Sequence, residues 1–300
     1  MQRRSFIKNT TLTLASLSFL SKATLASLLN EQPYKIKMLN NNIGVFSEKG
    51  GTILFMLSKK GTVVVDAQFP DSAQHCIDEI KKKTSKPFQL LINTHHHYDH
   101  TSGNIAFKNL VQNIVAHTNS LKNQTNAAQK NNTENKQLYP NITFDKSWSK
   151  KLTGEKISLH YFGAAHTNGD IVVHFEKAKI VHLGDLVFNR KYPYIDKSAG
   201  ANITNWSKIL EEIATKFEDA TQFICGHAGD GYEIVISKTD ILQFKNYLDN
   251  LLTFTKESIN KALSKEDYLK TTTIIGSPDW KGEGISRSLE AAWAELKENN

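Results

Sequence analysis

Residues 94–100, Thr-His-His-His-Tyr-Asp-His, place four imidazoles and a carboxylate directly after the apolar run Gln89-Leu90-Leu91-Ile92-Asn93. Neutral imidazole and carboxylate are the ligands that zinc and iron accept, and a loop at a strand end lets short side chains converge on one point. Such loops are where chemistry tends to be mounted. Three later islands also set a Gly beside a potential ligand at the end of an apolar run. They are Gly163-Ala164-Ala165-His166-Thr167-Asn168-Gly169-Asp170, Ile180-Val181-His182-Leu183-Gly184-Asp185 and Phe223-Ile224-Cys225-Gly226-His227. Glycine there lets the backbone approach a crowded centre closely.

In this order and spacing the islands resemble the metallo-β-lactamase superfamily, in which a His-x-His-x-Asp-His loop is followed by a distant His, an Asp or Cys, and a final His. His95, His97, Asp99 and His100 match the loop, His166, Asp185 and His227 match the later positions, and Asp66 matches a position at the end of an early strand. The resemblance spans residues 36–265. It implies two metals, zinc in the first instance with iron or manganese as alternatives. His95, His97 and His166 would hold the first, Asp99, His100 and His227 the second, and Asp185 would bridge them. Residues two apart on an extended segment point the same way, which suits His95 and His97 to one metal while the following turn redirects Asp99 and His100. Two dications lower the pKa of shared water toward about 7, supplying hydroxide for attack on a carbonyl, and Asp99 is then the expected proton shuttle.

His96 and Tyr98 fall on the opposite side and read as packing or supporting residues. His182, inside an apolar strand, reads as a hydrogen-bonded core residue, and Cys225 as a buried neighbour of His227 rather than a ligand. Phe188, Arg190, Tyr192 and Tyr194 follow the bridge and are expected to wall a pocket for a small molecule with an apolar body and an anionic group.

The superfamily contains lactamases, lactonases, thioesterases, ribonucleases, sulfatases and iron-dependent oxygenases, so the ligands do not fix the substrate. The best-known lactamase subclass has Cys where this chain has Asp185, and quorum-signal lactonases have Tyr where it has Phe188. The expectation is a hydrolase of small esters, lactones, thioesters or lactams. A β-lactamase proper, a mononuclear iron oxygenase of sulfur compounds and a non-catalytic periplasmic metal-binding protein are the alternatives.

The elements that must position these residues begin with short β-rich runs at Lys35–Leu39, Ile43–Ser47, Thr52–Ser58 and Thr62–Asp66. A helix over Asp71–Lys83 and a strand at Gln89–Asn93 lead into the His run. A helix-like Asn104–Asn109, a strand at Ile114–His117 and a partly helical polar stretch over 119–136 follow. A second strand group comprises Ile142–Phe144, Ile157–Phe162, Asp170–Phe175 and Lys179–Leu183. Helix Asn205–Phe217, strand Gln222–Cys225, a long helix over Thr239–Leu263 and a tail ending in helix Ile285–Leu296 complete the chain. Strands with helices, twice over, imply two packed sheets covered by helices on their outer faces: an α/β chain built as a four-layer αββα sandwich.

The formal charge of +7 suggests nucleic acid, but Arg3, Arg4, Lys8 and Lys22 lie in an N-terminal segment without acids, and the remainder carries +3. With no basic arm, no nucleic-acid partner is expected. Residues 1–26 have a cationic start, a modestly apolar middle and a small-residue exit, and read as an export signal. Their Arg-Arg-Ser-Phe-Ile-Lys resembles the twin-arginine motif. The middle is too short and too rich in Ser and Thr to span a membrane well, so the expectation is a periplasmic protein without stable membrane association. Residues 27–300 are expected to form one catalytic domain with a C-terminal helical tail that covers the body or pairs two subunits. Cys76 and Cys225 read as separate buried thiols.

Overall fold

The computed structural model describes residues 33–298, so the export segment lies outside the described residues. No helix among the described residues is long and apolar enough to cross a membrane. From Ile36 onward the chain forms one compact unit.

The first sheet runs β1 (Tyr34–Met38), β2 (Ile43–Glu48), β3 (Gly51–Ser58), β4 (Gly61–Val65), β5 (Phe88–Ile92), β6 (Ile114–His117) and β7 (Ile142–Phe144), in sequential order. β2, β3 and β4 pair antiparallel, and β4 to β7 pair parallel. β4 shows why these residues make strand. Its three valines suit a pleated surface, and the whole strand is buried, as expected where both faces are covered. Val63 and Val65 point into the space between the sheets with Leu54, Leu90 and Ile92, and alternation turns Val64 the other way. On that outer side lies helix α1 (Pro70–Lys83), which buries Ala73, Cys76, Ile77 and Ile80. Pro70 opens the helix and Lys81, Lys82 and Lys83 complement its C-terminal dipole.

A one-turn helix α2 (Tyr98–Thr101) carries the end of the His run, and α3 (Thr118–Lys130) follows β6. The second sheet comprises β8 (Ser147–Leu152), β9 (Glu155–Tyr161), β10 (Ile171–Phe175), β11 (Ile180–Asn189), β12 (Gln222–Ala228) and β13 (Val235–Ile236), ordered β13-β12-β11-β10-β9-β8. Its inner face contributes Leu159, Ile171, Val173, Ile180 and Ile224 to the intersheet core. Its outer face is covered by α4 (Ile203–Lys216) and α5 (Lys238–Asn260), through Trp206, Leu210, Ile213, Phe244 and Leu248. A short α6 (Lys265–Tyr268) and α7 (Ile285–Glu298) end the described chain. This is the expected αββα sandwich.

Three local readings change. β8 has no counterpart in the sequence expectations because Ser-Trp-Ser-Lys-Lys-Leu is polar; it is an edge strand, where lysines discourage further pairing. β11 runs six residues beyond the expected end at Leu183, and all ten of its residues are buried. Gly184 reads as a terminator but instead sits at φ +51° in a bulged register between β11 and β12. The long helix ends at Asn260, three residues earlier than its apolar stripe.

Candidate metal centre

The His run leaves β5 through bends at Thr94, His95 and His96, and His97, with φ −64° and ψ 153°, precedes α2. His95 Nε2 and His166 Nε2 lie 3.0 and 2.9 Å from His97 Nδ1. Asp185 Oδ2 completes this group, 3.8 Å from His95 Nε2 and 3.5 Å from His166 Nε2. The other oxygen of the same carboxylate faces a second group: Asp185 Oδ1 is 3.1 Å from His100 Nε2 and 3.4 Å from His227 Nε2. Asp99 Oδ2 closes that group at 3.0 Å from His227 Nε2 and 3.7 Å from His100 Nε2. The structure thus gathers all seven residues singled out in the sequence, and Asp185 offers one oxygen to each group.

Zinc–nitrogen bonds of about 2.0–2.1 Å at tetrahedral angles put neighbouring ligand atoms roughly 3.3 Å apart. The separations here, 2.9 to 3.8 Å, bracket that value. His100 Nε2 and Asp185 Oδ1 are buried and lack a hydrogen-bond partner, as ligand atoms aimed at a cation would be. Burial and neighbouring histidines pull His95 well down and His166 to about 3, leaving neutral imidazoles with free lone pairs. Burial alone would raise the Asp185 and Asp99 carboxyls, but His100 and His227 outweigh it and hold both well below the usual range. Conversely, burial would lower His227, while Asp185 and Asp99 lift it to about 9. Anionic oxygens and nitrogens that demand positive charge fit a metal pair.

The outer nitrogens of the ligands are held by groups from both sheets. Asp66, in the left-handed region at φ +62°, accepts from Thr94 N and Thr94 Oγ1 at 2.8 Å each and sits 2.8 Å from His100 Nδ1. Thr94 Oγ1 reaches His95 Nδ1 at 3.0 Å. His227 Nδ1 donates to Gly50 O at 2.7 Å, tying β12 to the turn between β2 and β3. His97 Nε2 donates to Asp196 Oδ2 at 2.9 Å. Asp196 has no role in the sequence reading, because nothing local marks an Asp as the partner of a His 99 residues away. Removing such an outer partner typically costs 10–100-fold in metal affinity or activity. Asp196→Asn is accordingly expected to weaken metal retention by about tenfold, read by competition with a chromogenic chelator; unchanged retention would dismiss the role.

His96 is buried and lies 3.6 Å from Asp196. His182 Nδ1 accepts from Gly184 N at 3.1 Å, and burial keeps the ring neutral by lowering it to about 4. Cys76 and Cys225 are free and buried. The Cys225 thiol donates to His227 O, and burial raises it to about 12, so it is no thiolate.

A cleft of about 420 Å³ opens onto Asp99, Asp185 and His227. Phe188, Tyr192 and Tyr194 line it, with Phe188 stacked on His227 at 5.4 Å. A second cleft of about 450 Å³ adjoins it across His97, Tyr98 and Tyr194 and is lined by Asn123, Asn126 and Ser198. Arg190 is not in either, correcting the expectation of a substrate contact. Its buried guanidinium turns away to Asn189, Gln243 and Asp240 and lies 4.9 Å from the Trp280 ring centroid. Arg190 is the first residue beyond β11 and sits in the left-handed region at φ +57°, which breaks the alternation that would otherwise set it on the side of Phe188. Lys191, between the expected wall residues Arg190 and Tyr192, also lines the first cleft, and Glu283, Gly284 and Arg287 line it too but escaped the sequence reading because the tail carries no motif.

A buried, bridged histidine–carboxylate cluster at the strand ends of an αββα sandwich defines a metal-dependent hydrolase. The chain belongs to the metallo-β-lactamase superfamily, whose family model matches residues 48–227. It is 26% identical over 202 residues to the Metallo-beta-lactamase type 2 of Elizabethkingia meningoseptica, covering 64% of this chain and 78% of that protein. It is also 26% identical to Metallo-beta-lactamase IND-1 of Chryseobacterium indologenes, covering 70% and 87%. Among solved structures, a metallo-β-lactamase from Pontibacter korlensis matches with TM-score 0.60 and 17% identity, covering 72% of this chain and 99% of that one. The inverting sec-alkylsulfatase Pisa1 from Pseudomonas sp. matches with TM-score 0.67 and 13% identity, covering 86% and 49%. Both structural likenesses concern the fold.

Proposed function

We propose that the chain is a dinuclear zinc hydrolase of small esters, lactones, thioesters or lactams, exported to the periplasm under the direction of residues 1–26. The observation that carries the reading is the division of one Asp185 carboxylate between two ligand groups, with Oδ2 toward His95 and His166 and Oδ1 toward His100 and His227. When bound, the zinc pair supplies Lewis acidity and a nucleophile derived from water near neutral pH. The protein supplies the rest. Asp99 is a cleft residue, oriented by His227 at 3.0 Å and kept ionised by His100 and His227 against its burial. As an ionised carboxylate it can accept a hydrogen bond from a water in the cleft and orient it. Phe188 shields His227 from solvent, and Tyr192 and Tyr194 form an apolar wall for the substrate body.

β-Lactam hydrolysis is the second reading, favoured by relatives named metallo-β-lactamases that this chain matches over most of their length. The exported, tag-free protein would be analysed for metal by elemental mass spectrometry and offered a chromogenic cephalosporin, a chromogenic lactone, a 4-nitrophenyl ester and a secondary alkyl sulfate. About two zinc ions with cleavage of a carbonyl substrate supports the proposal. One iron without hydrolysis would replace it with the oxygenase reading, and stoichiometric metal without turnover would leave a binding protein. Asp99→Asn is expected to lower kcat by about 10²–10⁴-fold without loss of the fold, measured by steady-state kinetics beside circular dichroism.

A further inference from the structure

At the other end of the sandwich lies a groove of about 950 Å³ that shares no residue with the metal centre. β4 and β5 begin beside it and deliver Asp66 and the His run at their far ends, so five residues of strand, roughly 16 Å, separate the two. Its floor is apolar: Ile43, Met56 and Leu152 belong to the intersheet core, and Leu57 is half-buried beside them. The rim carries Lys59, Lys83, Lys86 and Lys177, all exposed, and the side chain of none makes a hydrogen bond or ion pair among the described residues. One carboxylate, Glu155, lines the groove, and backbone donors already occupy it: Oε1 accepts from Lys177 N at 2.8 Å and Lys156 N at 3.1 Å, and Oε2 from Ala178 N at 3.1 Å. The rim is therefore cationic without internal counter-charge.

The segments that carry these lysines are tied to one another. Thr153 Oγ1 donates to Ser58 Oγ at 3.2 Å, joining the β8–β9 turn of one sheet to the β3–β4 turn of the other, which bears Lys59. Thr62 N donates to Pro87 O at 2.8 Å and holds Lys86 near that turn, while Lys86 N donates to Thr84 Oγ1 at 3.1 Å, just past Lys83 at the end of α1. Glu155, through the bonds above, fixes the β10–β11 turn that bears Lys177. The frame is set, and the methylene stems of its lysines extend the apolar floor outward beneath their charged heads.

We propose that this groove is a binding site for an anionic amphiphile of the fatty-acid type, its acyl chain along Ile43, Met56 and Leu57 and its carboxylate among the rim lysines. The two halves of such a ligand match the two halves of the site: the chain leaves water for an apolar floor, and the head supplies the charge that the ammonium groups lack. The volume is at the upper end of the about 300–1,000 Å³ usual for small-molecule sites. The inference is independent of the hydrolase reading, because none of these residues belongs to the metal centre.

The test is calorimetric titration with decanoate, octanoate, acetate and the neutral decyl maltoside, each below its micelle-forming concentration. Wild type is compared with the quadruple variant Lys59→Gln, Lys83→Gln, Lys86→Gln and Lys177→Gln, whose fold is checked by circular dichroism. Decanoate is expected to bind wild type at one per chain and about fivefold tighter than octanoate, since an open groove buries two further methylenes only in part. Acetate, without a chain, and the maltoside, without a charge, should each bind at least about tenfold more weakly than decanoate. In the quadruple variant decanoate affinity should fall about tenfold, the scale of several exposed ion pairs, and in wild type it should weaken with added salt. Equal decanoate affinity in wild type and variant would put the ligand elsewhere and overturn the site, as would no binding to wild type. Wild type that binds phosphatidylglycerol vesicles but not decanoate would also overturn it, and would make the lysine rim a membrane contact instead.

Discussion

Asp185→Asn is expected to leave a folded protein that holds about one metal ion or fewer instead of two and has lost roughly a thousandfold in kcat/KM. The substitution keeps the shape of the side chain but removes its charge, and one ligand atom becomes an amide nitrogen without a lone pair to donate. At this position both oxygens are engaged, Oδ1 at 3.1 and 3.4 Å from His100 and His227 and Oδ2 at 3.5 and 3.8 Å from His166 and His95. Whichever way the amide turns, one group loses its anionic oxygen. His100 and His227, raised by the carboxylates around them, would lose one of those partners. Elemental mass spectrometry and steady-state kinetics on the same preparation provide the check. Full metal content with near-normal turnover would show that the bridge does not carry the site.

Gly226→Ala should be nearly as damaging although it removes no ligand. A Cβ at Gly226 would stand 2.0 Å from Asp185 Oδ1 and 3.0 Å from the carbonyl carbon of Gly184. The carboxylate is buried between β11 and β12, so it can yield only by leaving the histidines it faces. Overpacking of this kind costs about 1–3 kcal/mol, and here the displaced group is also the one shared by both ligand groups. We expect a lower melting temperature, weakened metal binding and a loss of about a hundredfold in kcat/KM, the scale on which a misplacement of about 1 Å acts. A Gly226→Ala protein with wild-type metal content and rate would mean that β12 moves more freely than its packing implies.

These two positions also separate what can be read locally from what cannot. The ligand types, their order and their attachment to strand ends were legible, because a metal site needs particular side chains and a buried strand needs an apolar run. The helices α1, α4 and α5 were legible through their apolar stripes, and the sandwich through the grouping of strands with helices. β8 was hidden because an edge strand needs no apolar pattern, and the length of β11 because Gly184 resembles a stop until its bulge is seen.

Arg190 is the clearest case of tertiary control. Its place in the sequence, five residues beyond Asp185 among aromatics, suits a substrate contact. The end of β11 instead delivers it to Gln243 and Trp280, where it anchors the tail. Conversely, Asp196 behind His97 has no local signature, since the histidine it faces is 99 residues away, and Arg287 lines the cleft from a tail that carries no motif. The sequence by itself determined which residue types were available and which backbone elements would carry them, through short-range sterics and hydrophobic periodicity. Only the tertiary structure decided which imidazoles share an oxygen of Asp185, which carboxylates stand behind them and which cations reach the cleft, because those choices depend on how two sheets and a distant tail pack in three dimensions.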